Sequence, residues 1–309
     1  MIPYRRSLLL LVFALIVSWL ELQTAQAMDS SIRAEHVVII GIDGMKGEAA
    51  IHAQTPNVRR LMEHGAYTLH ARAVIPLVSK PNWSAMIMGA PPEQTGVTSN
   101  EWKPNEREIT PVCTGPTGMF PTIFRVLKEQ KPSSSIGMFS DWDGFATLIE
   151  PNGQNVMMIT NEDQPRTTQQ AMAFIRSRKP TLTFIHYDSV DEAGHAEGWD
   201  TPKYYEAVGK VDGYIGEVTK TLDEAGILRQ TVILVTADHG GKGRDHGQNN
   251  MANIEIPWII SGPGIKARHE IADQVETYDT AATIAYILQL NPPRCWLGRP
   301  VLEVFKLSH

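Results

Sequence analysis

Three apolar segments of this chain run directly into carboxylate and imidazole side chains. Residues 37–42 lead into Asp43 and Gly44, and residues 182–187 lead into Asp188, Asp191 and His195. Residues 232–236 lead, after Ala237, into Asp238, His239 and Gly240, with His246 beyond a glycine-rich stretch. Taken singly, each has a plain structural explanation, because Asp-Gly after a strand is a common turn and Asp at a strand end often caps a helix. Their combination says more. Asp191 and His195 have the i, i+4 spacing that puts two side chains on one helix face. Carboxylate oxygens with neutral imidazoles suit Zn²⁺ or a similar divalent ion, and so many acidic groups brought together need cations to stay ionised.

A hydroxyl nucleophile is suggested by Val78-Ser79-Lys80-Pro81-Asn82-Trp83-Ser84, where a loop enters a predicted helix. The unmatched N–H groups and positive end of a helix favour an anion there. Ser79 is the candidate nucleophile, and the Asn82 amide is a candidate donor to a phosphoryl oxygen. The plainer alternative is that Ser79 or Ser84 caps the helix. Asn82-Trp83-Ser84 also matches a glycosylation sequon, a short motif that recurs by chance.

The elements that must position these groups emerge from hydrophobic periodicity. Strands are expected at 37–42, 136–139, 182–187, 232–236 and 258–260, and helices at 57–63, 84–88, 120–129, 168–178, 203–225 and 279–290. Apolar runs alternating with amphipathic stretches predict an α/β three-layer sandwich, a mainly parallel sheet with helices on both faces. In such sheets ligands bind at the carboxyl ends of strands, so the three acidic clusters should share one edge. No repeat or linker divides the chain, which predicts one catalytic domain over 28–309. Residues 90–121, rich in Pro, Gly, Asn and Thr, read as a lid or binding segment.

Residues 1–27 stand apart. Arg5 and Arg6 precede an apolar run, 8–20, broken only by Ser18, and Ala25-Gln26-Ala27 comes next. That is the layout of a signal peptide cleaved after Ala27, with a run shorter than the roughly 20 residues that span a bilayer. A periplasmic or secreted protein without a stable membrane span is expected. The full chain has 309 residues, 42% hydrophobic and 20% charged, which excludes disorder, and its net charge of −6 excludes a nucleic-acid platform. Cys113 and Cys295 could pair across a long loop or remain two buried thiols.

On these residues the chain resembles the alkaline phosphatase superfamily, within it the type I phosphodiesterase and nucleotide pyrophosphatase branch. The resemblance rests on ordered motifs between Val37 and about Pro263: Gly41-Ile42-Asp43-Gly44, Ser79-Lys80-Pro81-Asn82, Asp191-Glu192-Ala193-Gly194-His195, Val211-Asp212 with Ile215-Gly216, and Ala237-Asp238-His239-Gly240. It implies an alkaline phosphatase-like fold and two divalent ions, zinc first and manganese as the alternative. One ion would be held by Asp43, Ser79, Asp238 and His239, the other by Asp191, His195 and His246. Diesterases of this branch often take their last histidine from nearer the C-terminus, whereas shorter superfamily members place it soon after Asp-His-Gly and before a segment like Ile256-Pro257. His246 fits the second pattern.

The same resemblance implies hydrolysis of a small-molecule phosphoric ester, a phosphodiester or a nucleotide pyrophosphate, through a phosphoserine on Ser79 with Asn82 holding a non-bridging oxygen. Sulfatases carry a C/S-x-P-x-R motif, and Trp83 stands here in place of its arginine, which disfavours sulfate esters. The diesterases usually have Thr where this chain has Ser79, the residue the monoesterases use. A phosphate or phosphonate monoester hydrolase is therefore the alternative, and a non-catalytic envelope binding protein the remoter one. Trp102, Trp142, Asp143 and Phe145 are candidates for shaping the substrate pocket, although aromatic residues more often build the core.

Overall fold

The computed structural model describes residues 34–306; the leader expected at 1–27 lies outside them. Its centre is an eight-stranded sheet in the order β4-β3-β5-β1-β6-β7-β2-β8. The strands are β1 (His36–Ile42), β2 (Gly65–Arg72), β3 (Ile136–Ser140), β4 (Val156–Ile159), β5 (Leu182–Tyr187), β6 (Thr231–Thr236), β7 (Glu255–Ser261) and β8 (His269–Glu270). From β4 to β6 every neighbouring pair is parallel, whereas β7 runs antiparallel to both β6 and β2. β1, β3, β5 and β6 are buried along their whole length, the reason they read as continuous apolar runs rather than alternating ones.

Helices cover both faces. Pro56–His64, Gln164–Arg178, Ser189–Glu197 and Pro202–Glu224 pack as one group, while Ser79–Met88, Ile123–Gln130 and Asp279–Ile287 form the other. β2, β4 and β8 were not expected. All three are only partly buried, β2 shows a register shift, β2 and β4 carry no clean period-two pattern, and β8 is two residues long. The helix expected at 84–88 begins earlier, at Ser79. Pro81 does not prevent this, since an N–H in the first helical turn has no intrahelical acceptor to lose.

Two sequence features have structural work. The Pro56–His64 helix has no side-chain cap from its own N-cap residue, Thr55, and the Asp212 carboxylate, from the Pro202–Glu224 helix, takes the Asn57 and Val58 N–H groups at 3.1 and 2.8 Å. The Val211-Asp212 motif thus joins two helices. Cys113 and Cys295 are bonded, with Cα atoms 6.3 Å apart, tying the irregular 90–121 segment to the chain beyond the last helix. Among the described residues no helix is long and apolar enough to cross a membrane.

Candidate active site

Four strands deliver a carboxylate to one edge of the sheet. Asp43 comes after β1, Asp141 after β3, Asp188 after β5 and Asp238 after β6. Parallel register aligns them: Gly41 lies opposite both His186 and Thr236, and the Asp43 N–H donates to Tyr187 O at 2.8 Å. Two glycines of the first motif allow the close approaches. A Cβ on Gly41 would lie 2.6 Å from the Trp83 ring, and one on Gly44, whose φ is +67°, would lie 2.8 Å from Asp191 Cα.

The side chains then converge at this edge. His239 Nε2 lies 3.4 Å from Asp43 Oδ1 and 3.3 Å from Asp238 Oδ2; His195 Nε2 lies 3.3 Å from Asp191 Oδ2, and His246 Nε2 lies 3.9 Å from Asp191 Oδ1. Donor atoms of Asp43, Asp238 and His239 fall within 4.8 Å of one another, and so do those of Asp191, His239 and His246. His239 therefore stands in both groups. His195 lies at the exposed rim.

Each histidine is held by its other nitrogen. Nδ1 of His195 faces Arg244 O at 3.0 Å, that of His239 faces Gly240 O at 2.9 Å, and that of His246 faces Leu77 O at 2.7 Å. A carbonyl only accepts, so each Nδ1 carries a proton, and each Nε2 is turned towards the carboxylates. Asp43 Oδ1, Asp191 Oδ1, Asp238 Oδ2 and His239 Nε2 are buried without a hydrogen-bond partner among the described residues. Buried polar atoms left in this way are costly, and their convergence fits oxygen and nitrogen ligands that share cations.

The electrostatics agree. Burial would raise the pKa of Asp43, but the hydrogen bond from His186 and the charges of His239 and His186 outweigh it and bring it to about 2. Asp238 moves the other way, well above the carboxylate range, through burial and the charges of Asp43 and Asp191. Burial and then the Asp43 charge push Asp188 up to about 8. The hydrogen bond to Asp191 lifts His195 to about 9, whereas burial and the charge of His239 lower His246. Without a cation these carboxylates do not all ionise.

Ser79 is the first residue of its helix, and its hydroxyl makes no hydrogen bond among the described residues. Val78, not serine, occupies the N-cap, and Ser84 Oγ donates to Pro81 O within the helix, so neither serine is the cap. One turn along the same face, Trp83 Nε1 donates to Asp43 Oδ2 at 3.0 Å, which sets the Ser79 end of the helix over the carboxyl end of β1.

Asn82 does not take the role expected of it. Its Oδ1 accepts from Val74 N at 2.7 Å, and its Nδ2 faces Val74 O, Pro76 O and Val78 O at 3.0 to 3.1 Å; the side chain is fully buried. It holds the loop before Ser79, and burial also removes it as a glycosylation acceptor. Asn100, which the sequence motifs do not single out, lies beside the start of the Ser79–Met88 helix. Its Oδ1 accepts from Lys80 N at 2.8 Å, leaving its NH₂ beside the helix start without a partner among the described residues. The one sequence signal for it was its position in the irregular 90–121 segment.

The proposed pocket residues divide. Phe145 is core, packed against Trp83, Phe184 and His186, and Trp102 is buried, with its carbonyl accepting from Lys80 Nζ at 3.0 Å. Trp142 is half-buried and Asp143 exposed, so these two remain open to a ligand. His186 and Asp141, wholly buried beneath Asp43, were not singled out from sequence.

With this geometry in place, the sequence profile of the type I phosphodiesterase / nucleotide pyrophosphatase family matches residues 37–257. The chain belongs to this family. Family members are hydrolases, and the motif-based recognition stands. Solved structures share the fold: human ectonucleotide pyrophosphatase / phosphodiesterase 5 superposes with a TM-score of 0.74 at 14% identity, covering 88% of this chain and all (100%) of that one. The inactive murine counterpart in complex with AMP gives 0.73 at 14% identity and the same coverage, 88% and 100%. A 2-O GAG sulfatase gives 0.69 at 16% identity, covering 86% and 73%. Curated relatives include arylsulfatase K of Danio rerio, 36% identical over 86 residues, or 26% of this chain and 16% of that protein. The Homo sapiens protein is 28% identical over 115 residues, 34% of this chain and 22% of its own length. The matched stretch thus spans about a fifth of these relatives or less.

Proposed function

We propose that this chain is an exported hydrolase of small-molecule phosphoric esters, acting on phosphodiesters or nucleotide pyrophosphates through a phosphoserine on Ser79. The observation that carries the reading is the trio of histidines, each with Nδ1 fixed by a carbonyl and Nε2 turned towards Asp43, Asp191 and Asp238. Asp43, Ser79, Asp238 and His239 would hold one divalent ion and Asp191, His195 and His246 the other, with zinc the metal best suited to this donor set. Bound there, the ions would supply Lewis acidity for the serine oxygen and the leaving oxygen.

The residues of the chain do the rest. Ser79 presents a hydroxyl without a hydrogen-bond partner among the described residues, at a helix N-terminus whose positive dipole end favours the phosphoryl oxygens. The Asn100 NH₂, without a partner among the described residues, would hold a non-bridging oxygen in place of Asn82. Attack by Ser79 Oγ on phosphorus, with loss of its proton, breaks the bond to the leaving alcohol or phosphate, which departs taking up a proton, and leaves a phosphoryl ester on Ser79 that keeps the substrate's other substituent; water then cleaves the Ser79 Oγ–P bond and restores the hydroxyl. The AMP bound to the murine structural relative agrees with a nucleotide-bearing substrate.

Two other esters enter the test. A serine nucleophile favours monoesters as the second reading. The arylsulfatase relatives raise sulfate esters, but Trp83, where the sulfatase motif places arginine, is buried and bonded to Asp43. Elemental analysis of the purified protein, with rates on bis-p-nitrophenyl phosphate, p-nitrophenyl phosphate and p-nitrophenyl sulfate, decides among them. The diester should turn over fastest, and a metal-free protein inactive on every phosphate ester would overturn the proposal.

A further inference from the structure

His186 sits on β5 between Gly41 of β1 and Ser140 of β3 and is wholly buried. Its Nε2 lies 3.3 Å from Asp43 Oδ2, and its Nδ1 faces Ser140 Oγ at 3.0 Å and Asp141 Oδ1 at 3.4 Å. The ring meets Trp83 edge-on, centroids 4.8 Å apart, and Phe145 at a tilt of 55°, centroids 5.4 Å apart. Trp83 Nε1 donates to the same Asp43 oxygen, Oδ2, at 3.0 Å. Asp43 Oδ1 receives no hydrogen bond among the described residues. Both donors converge on one oxygen and leave the other facing His239.

We propose that His186 and Trp83 are positioning residues that clamp Asp43 through Oδ2, so that Asp43 offers the single oxygen Oδ1 to the ion it shares with Asp238 and His239. The inference rests on the two-ion reading of the site. Asp238 shows the same device with a backbone donor: Gly44 N binds its Oδ1 at 3.1 Å, and its Oδ2 is without a partner among the described residues. Hydrogen bonds of this kind orient ligating groups, and losing one typically costs about 10- to 100-fold in metal affinity. Donor atoms of Asp43, His186 and Asp188 also lie within 4.8 Å of one another, which raises a third ion as the rival explanation. The clamp is favoured because Asp43 Oδ2 already faces two ring nitrogens, and an Nε2–H that donates has no lone pair to give a metal.

The test is a Zn²⁺ titration of the full-length protein against a chromogenic chelator, with stoichiometry from elemental analysis. Wild type should bind two ions. His186→Phe should still bind two at saturation but hold one of them about 10- to 100-fold more weakly, with the other unchanged. His186→Gln, whose amide can replace the Nε2 donor, should recover most of that loss. Trp83→Phe removes the second donor while keeping a ring, should weaken the same ion, and carries the test if His186→Phe does not fold. Unchanged affinities, equal weakening of both ions, or three ions in wild type with two in His186→Phe would each overturn the clamp. A wild-type protein that binds no divalent ion would overturn the two-ion reading itself, and the clamp with it.

Discussion

The imidazole rings of His239 and His246 stack with centroids 3.8 Å apart and planes 14° from parallel. Two charged rings would repel at that distance, so the stack requires at least one to be neutral, and the Nδ1 bonds to Gly240 O and Leu77 O leave both Nε2 atoms free to accept a cation. The stack is the wall that the two ligand groups share.

Because of that shared wall, His239→Ala should weaken both ions, whereas Asp191→Ala or His195→Ala should weaken one and spare the other. Zinc titration of each folded variant checks this. Selective loss in His239→Ala would separate the two groups.

Ser79→Ala should lower diester turnover by orders of magnitude while leaving the melting temperature nearly unchanged, because the hydroxyl makes no capping bond among the described residues. A true serine cap would cost about 1 kcal/mol of stability and little activity. Turnover within a few-fold of wild type at saturating metal would return Ser79 to a structural role.

The two asparagines should part company. Asn82→Ala removes the bonds to Val74, Pro76 and Val78 in a buried loop and should destabilise by about 2–4 kcal/mol. Asn100→Ala should leave stability almost intact and lower turnover instead. Denaturant unfolding and steady-state kinetics on both variants measure the contrast, and the reverse pattern would restore the phosphoryl role to Asn82.

Metal-free protein should lose stability as pH rises. Asp188, with a folded pKa of about 8, and Asp238, also raised, keep protons that the unfolded chain releases near pH 4. Their contribution is therefore full below about pH 4 and falls as pH climbs through their folded values. His195, raised to about 9, has the same sign over a higher window, from its unfolded value up through about 9. Asp43, lowered to about 2, has the opposite sign and is lost only as pH drops from about 4 through about 2. Thermal melts in chelator should fall between pH 5 and pH 8, and added zinc should flatten that decline. A chelated protein that melts higher at pH 8 would contradict the charge balance of the cleft.

Reduction, or Cys113→Ser, should destabilise the fold by up to about 5 kcal/mol, the loop-closure estimate for a bridge between cysteines 182 residues apart. Melts with and without reductant give the comparison. No shift on reduction would mean that the bridge adds nothing to stability.

The sequence by itself determined the five central strands of the sheet, β3, β5, β1, β6 and β7, and its chemically active edge. Short apolar runs such as 182–187, flanked by polar and turn residues, read as strands buried on both faces, and parallel strands carry the residues after their carboxyl ends to one side of the sheet. Asp43, Asp191, Asp238, His239 and His246 were therefore legible from local pattern and order alone. The features that only the tertiary structure decided depend on contacts between residues far apart in the chain. Asn82 looked like an oxyanion donor because position at a helix start does not reveal where an amide points; the Val74–Val78 loop occupies it. Asn100 was hidden in an irregular segment, and only the fold brings it to Lys80. His186 and Asp141 lie inside apolar surroundings, where periodicity counts them as core, and their bonds to Asp43 arise from strand pairing. Two cysteines left pairing open, and the approach of the 90–121 segment to the C-terminal end closed it. Short-range pattern fixes which edge carries the chemistry, while hydrogen-bond direction, which is a property of three-dimensional neighbours, fixes which atoms remain free to perform it.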